Sequence, residues 1–400
     1  MASEVLFDPF LPDFNANPYP YYHRLREADP VHRSPLGFWV LTRYEDCVMV
    51  LRDQRFGRAG FEGFLEAQYG SPGEQGRLPR SMLFQDPPDH TRLRALVSRA
   101  FTPRVVEGLR PRIQEVVDGI LDSVEGARGM EVIRDLAYPL PVTVISEMLG
   151  VPTGDHESIR QWSADIARSL DAIGLQLDPD VVERGRVGRR AIGDYFRALL
   201  PERRKHPRAD LLSLLIAAEE QGDRLTEGEL LSTCVLLYIA GHETTVNLIG
   251  NGLLALLRHP AELARLREDP SLAASAVEEL LRYDGPVQRT ARIANTEVEI
   301  GGRRIDKGAM VVLAIGAANR DPAHFPEPDR LDVARADNRH IAFGFGIHFC
   351  LGAPLARLEG QIALSTLARR LPKLALAADA PEWRESQVLR GLKALPVAFS

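Results

Sequence analysis

Three observations predict a mainly helical protein with small β-sheets. First, apolar residues recur at helical spacing from Thr226 to Arg258, roughly 33 residues or about 50 Å, enough to cross a large domain. Second, Leu355, Leu358 and Ile362 form another buried stripe at the same spacing, directly after a glycine-rich turn. Third, the strand-like runs are short, at Phe38 to Thr42, Thr296 to Ile300 and Met310 to Ile315. With 400 residues, 45% of them hydrophobic, the chain can bury a large core, and length alone suggests two or three domains. No Ser- or Gly-rich linker, repeat or low-complexity tract divides it, so residues 1–400 are expected to form a single domain.

Taken from the N-terminus, the first helix with chemical interest opens in DPPDHTRLR, Asp86 to Arg94. Pro87 and Pro88 suit a first turn after Asp86, and His90 and Arg94, four apart, share a face. Such groups could pair with an anion, although single charges of this kind usually face water. The long helix follows. Thr226 and Glu229 have the spacing of a capping box. The interior CVLLYIAGHETTVNLIG is apolar until Gly241, His242, Glu243, Thr244 and Thr245 interrupt it. Polar groups within a buried helix need partners. The Thr244 hydroxyl can reach back to the Ala240 carbonyl or hold a water, with Gly241 leaving space.

In VEELLRY, Val277 to Tyr283, Glu279 and Arg282 are three apart on one helical face. Last comes FGFGIHFCLG, Phe343 to Gly352, where glycines at 344, 346 and 352 let the chain curl around one cysteine, Cys350. Ala353 and Pro354 then open a helix, which places Cys350 near a positive helix end. There a thiol tends toward thiolate, the form that ligates metal.

This loop resembles the cysteine-ligand loop of the cytochrome P450 family, with Phe343, Gly344, Gly346, His348, Cys350 and Gly352 matching without a gap. The upstream motifs fall in the family's order, and the likeness covers nearly the whole chain. The resemblance implies a cytochrome P450 fold with haem b held between the long central helix and the cysteine-loop helix. Cys350 would be the axial iron ligand. His90, Arg94, Arg292 of PVQRTARIA and His348 would meet the haem propionates. Glu279, Arg282 and Arg330 of FPEPDRL would form a buried network pinning the loop before the cysteine. Glu243 and Thr244 match the family's acid-alcohol pair, which delivers protons when dioxygen is cleaved. An axial thiolate favours that scission. The implied activity is hydroxylation or epoxidation of a hydrophobic small molecule, with secondary metabolism among the settings. Fatty acids and steroids are equally compatible.

Composition narrows the rest. A formal net charge of −6 argues against a nucleic-acid partner. MASEVLFDPF lacks the basic flank and apolar core of a signal peptide, and no apolar run reaches the length of a membrane span. Three cysteines are too few for a disulfide framework, so a cytoplasmic protein without a membrane anchor is expected, as a monomer. Cys47 and Cys234 lie in apolar helical contexts. No flavin-type glycine motif or iron-sulfur cysteine set is present, so electrons must come from outside. The resemblance implies a ferredoxin or flavodoxin with its reductase, docking near Arg99, Arg104, Arg110 or Arg357. Residues Gly57 to Arg80, with six glycines, read as a lid, and Leu237, Val287, Gln288 and the segment around Leu392 as pocket lining. The rival readings are peroxide-driven or dehydration chemistry, a non-catalytic haem sensor, and a cysteine loop that merely packs a turn.

Overall fold

A computed structural model describes residues 7–11, 13–61, 63, 65–66, 78–124, 126–172, 177–220, 225–377 and 381–399. Residues 67–77, on which the lid expectation chiefly rests, lie outside the described residues. Helices predominate, and the sheets are small. The chain divides into two compact units. One comprises residues 1–56, 106–140 and 244–400, and the other residues 57–105 and 141–243. Each is assembled from separated stretches, so no single cut in the sequence isolates either.

In the first unit, strands β1 (Val31–Arg33), β2 (Trp39–Leu41), β3 (Arg289–Ala294) and β4 (Met310–Ala314) belong to the largest sheet. β1 pairs antiparallel with β2, β2 parallel with β4, and β4 antiparallel with β3. All five residues of β4 are buried, as befits a strand flanked on both sides by others. The expected strand runs lie here and in the hairpin of Val298–Ile300 with Arg303–Ile305. Buried side chains of this sheet and of the helix Tyr44–Arg52 form one core, in which Leu41, Val311, Leu313 and Ile305 are fully enclosed.

Four helices carry the residues of interest, namely α1 (Asp89–Ser98), α2 (Glu227–Arg258), α3 (Ala273–Asp284) and α4 (Ala353–Arg370). The N-terminus of α2 is closed by reciprocal bonds. The Thr226 amide donates to Glu229 Oε2 at 2.9 Å, and the Glu229 amide donates to Thr226 Oγ1 at 3.2 Å. That satisfies two donors the helix cannot satisfy itself. Within the first unit, the C-terminal half of α2 packs on α3 and α4 through glycines. A Cβ on Gly252 would lie 3.1 Å from Leu280 and 3.3 Å from Leu364, and one on Gly360 3.2 Å from Leu248. The helices therefore approach more closely than larger residues would allow.

The candidate haem-thiolate site

Local backbone chemistry places Cys350. Gly344 and Gly346 take φ values of 71° and 70°, a left-handed region that costs other residues energy. At Gly346 a Cβ would also fall 2.5 Å from the Leu51 carbonyl oxygen. The curl brings the Cys350 amide to the Phe343 carbonyl at 2.9 Å. Gly352 is the N-cap of α4, and Pro354 sits in its first turn, so the sulfur lies just ahead of a helix N-terminus, where negative charge is stabilised. Cys350 is partly exposed, whereas Cys47 and Cys234 are buried. Burial pushes both of those thiols up, away from the reactive thiolate form.

The first unit also holds Arg292, His348 and Thr244. Arg292 lies on β3, is buried, and donates from Nη1 to the Ala291 carbonyl at 2.8 Å. His348 ends the short helical turn Gly346–His348 ahead of the cysteine. Beside the polar interruption of α2, Glu359 projects from α4 into the core. Burial raises its pKa to about 8, and the Thr245 hydroxyl beside it offsets this only in part. Near neutral pH it keeps its proton.

The second unit holds His90, Arg94 and Glu243. His90 is buried on α1, and burial, then Arg94, lowers its pKa. Both side chains carry donors that an anion could take up. The Asp86 carboxylate does not cap α1, which has Pro88 at its N-cap. It accepts the amides of Arg58 and Ala59 at 2.8 and 3.1 Å instead. On α2, the His242 Nδ1 donates to the Tyr238 carbonyl at 2.7 Å. Its Nε2 is 3.6 Å from a Glu243 oxygen. The space expected at Gly241 is filled: a Cβ there would lie 2.8 Å from Ile145. α2 continues through this position without a break.

The network around Glu279 differs from expectation in one member. Glu279 and Arg282 are wholly buried, with paired bonds of 2.8 and 2.9 Å. Arg282 also donates to the carbonyls of Asn319, Pro328 and Arg330. Arg330 contributes only that carbonyl. Its guanidinium faces solvent and pairs with Glu327. The second cation is Arg335, whose Nε donates to both Glu279 oxygens at 3.2 and 3.1 Å, and Asn338 adds a bond of 3.0 Å. The irregular loop turns Arg335 inward and Arg330 outward, a choice that spacing does not encode. Gln288, expected at a pocket wall, is buried and donates to the Gly285 carbonyl at 2.9 Å. Leu392 is buried against Gly250.

The first unit can be tested for its fit to haem. Among the described residues no cluster of three or more His, Cys, Asp or Glu side chains could hold a bare metal ion. The partly exposed Cys350 is instead a single sulfur donor, suited to a metal that brings its own equatorial ligands. Phe345, Ile347 and Phe349 are each more than a third exposed within five residues of it. Apolar side chains left exposed beside a single sulfur donor suit contact with an apolar group. These features fit a flat, hydrophobic, metal-bearing group held by a thiolate, the class of a haem-thiolate protein.

Comparison with known proteins gives the family. Residues 35–382 match the model of the Cytochrome P450 family. The biotin biosynthesis cytochrome P450 of Bacillus subtilis (strain 168) is 44% identical over 393 residues, 97% of each chain. The 6-deoxyerythronolide B hydroxylase of Saccharopolyspora erythraea is 41% identical over 399 residues, 96% of each chain. The crystal structure of the myxobacterial cytochrome P450 CYP267B1 with myristic acid superposes with a TM-score of 0.91 at 47% identity, covering 98% of both chains. The chain belongs to the cytochrome P450 family. It is a haem-thiolate monooxygenase with haem b as cofactor, acting on a hydrophobic substrate with electrons supplied by redox partners. No helix among the described residues is long and apolar enough to cross a membrane.

Proposed function

We propose that this monooxygenase hydroxylates or epoxidises a hydrophobic small molecule of secondary metabolism in the cytoplasm, with electrons from a ferredoxin or flavodoxin and its reductase. The observation that carries the reading is the Cys350 loop, with its amide bonded to Phe343 and its sulfur ahead of α4. The substrate class is supported by relatives named for hydroxylating 6-deoxyerythronolide B and crystallised with myristic acid.

Haem, bound through Cys350, supplies the activation of dioxygen. As the residue holding that group, a Cys350 thiolate would donate the electron density that favours oxygen-oxygen scission. His90, Arg94, Arg292 and His348 would be the donors to its propionates. Cleavage of dioxygen would consume two protons, and Glu243 and Thr244 are assigned to deliver them. The Thr244 hydroxyl can accept one hydrogen bond while donating another, so it can pass a proton inward. The Glu243 carboxyl can reload it from solvent. Arg99 and Arg104 are offered as steering cations for an acidic electron carrier; Arg110 and Arg357, expected beside them, are paired with Glu107 and Glu278.

The first test is the spectrum of the dithionite-reduced protein under carbon monoxide. A strongly red-shifted Soret band is expected if Cys350 ligates the haem as thiolate, and Cys350→Ser should abolish it. Thr244→Ala should keep that band and normal reduction while product formed per reductant falls by about tenfold or more, the balance appearing as hydrogen peroxide. Unchanged coupling would remove Thr244 from proton delivery.

A further inference from the structure

The glutamate beside the buried one carries contacts of a different kind. Glu278 Oε1 accepts Arg357 Nε at 2.7 Å, and Oε2 accepts Arg357 Nη2 at 2.8 Å and His340 Nε2 at 3.2 Å. The His340 Nδ1 accepts the Ala342 amide at 3.2 Å. The ring proton therefore sits on Nε2, directed at Glu278. Arg357 lies on the second turn of α4, and its guanidinium rests over the Phe343 ring, 4.6 Å from the centroid. Phe343 is the residue whose carbonyl takes the Cys350 amide.

These contacts close a circuit. Beginning at α3, it passes from Glu278 to Arg357 on α4, on to the Phe343 face, and through the Phe343 carbonyl to Cys350. It returns through His340 and Ala342 at the start of the same loop. A bidentate arginine fixes orientation as well as charge, and a cation over an aromatic face restrains the ring. Unlike the Glu279 network, the circuit is open to solvent, with Glu278 27% and Arg357 30% exposed.

We propose that Glu278 and Arg357 are positioning residues for the axial thiolate: Glu278 aims Arg357 at Phe343, and the clamped ring holds the Cys350 loop in the form that keeps sulfur on iron. The inference rests on the haem-thiolate reading above. Its consequence is that thiolate ligation can be lost locally, without the fold, when this pair is broken.

The test uses holoenzyme of the wild type, Glu278→Gln, Arg357→Met, the double variant and Arg357→Lys. Two signals are followed in mild urea at pH 7: the red-shifted carbon monoxide band, and far-ultraviolet circular dichroism for the fold. Glu278→Gln and Arg357→Met are expected to lose the band about threefold to tenfold faster than wild type, with the dichroism change unaltered. The double variant should be no faster than the faster single, since both break one circuit. Arg357→Lys, which keeps charge but loses the fork, should fall between. Band loss at the wild-type rate in both single variants would overturn the proposal, as would band and dichroism changing in step. Additive effects in the double variant would overturn the coupling. A wild type that never shows the band defeats the haem-thiolate reading itself, a result distinct from any of these.

Discussion

Glu278 and Glu279 are consecutive residues on one helix, yet they carry opposite kinds of ion pair. Glu279 is enclosed, with Arg282, Arg335 and Asn338 filling its acceptor positions and the Asp332 amide adding a bond of 2.9 Å. Glu278 meets Arg357 and His340 at a surface that water reaches. A buried pair contributes little net stability over an apolar substitute but is costly to break, because an unpartnered charge is left in the interior. A half-exposed pair gains less, loses less, and can be rearranged. One side of the helix is suited to permanence and the other to adjustment.

The comparison can be broken at several strengths. Glu279→Ala should have the largest effect, on the order of 4 kcal/mol, because Arg282 would be stranded; the expected outcome is a chain that fails to incorporate haem, read by haem content and urea unfolding. Glu359 supplies a buried carboxyl with no cation opposite it among the described residues. Its folded pKa of about 8 lies above the ordinary 4.5, so between these values the unfolded chain releases a proton that the folded one retains. Stability therefore falls as pH rises through that window. Glu359→Gln should flatten this slope, gaining on the wild type by up to about 3 kcal/mol near pH 7, as measured by unfolding across pH 4 to 8.

Arg335→Ala should cost about 2 kcal/mol, since Glu279 keeps Arg282 but loses two charged bonds. Glu278 gives a smaller effect of opposite pH sense. Its partners His340 and Arg357 overcome burial and hold its pKa down at about 2, so its contribution is complete above pH 4.5 and lost as pH falls toward 2. With its solvent screening, Glu278→Gln should remove about 1 kcal/mol of acid sensitivity. Arg330→Ala should change stability by less than about 0.5 kcal/mol; a loss equal to that of Arg335→Ala would reverse the assignment of the two arginines.

How legible these features were depends on whether local rules determine them. The capping box at Thr226 and Glu229, the strands ending at Leu41, Ile300 and Ala314, and the glycine curl before Cys350 follow from short-range spacing. The inward turn of Arg335 does not, because side-chain direction in irregular backbone depends on tertiary contacts. Glu359 could have been found: it sits four residues after Leu355 and three before Ile362, on the apolar stripe of α4, and a carboxyl at a stripe position is buried. Glu278 and His340 were invisible for another reason. They are 62 residues apart, and nothing local to either one points to the other.

Gly346 bears on how freely this sequence can drift. With φ at 70° and the Leu51 oxygen 2.5 Å from where a Cβ would sit, the position admits a hydrogen atom and nothing larger. In a library randomised across Phe343 to Gly352, the substitutable neighbours should diversify among functional survivors, while position 346 returns as glycine. The fixed letter there would record the nearness of another segment's carbonyl, and would carry no information about oxygen chemistry.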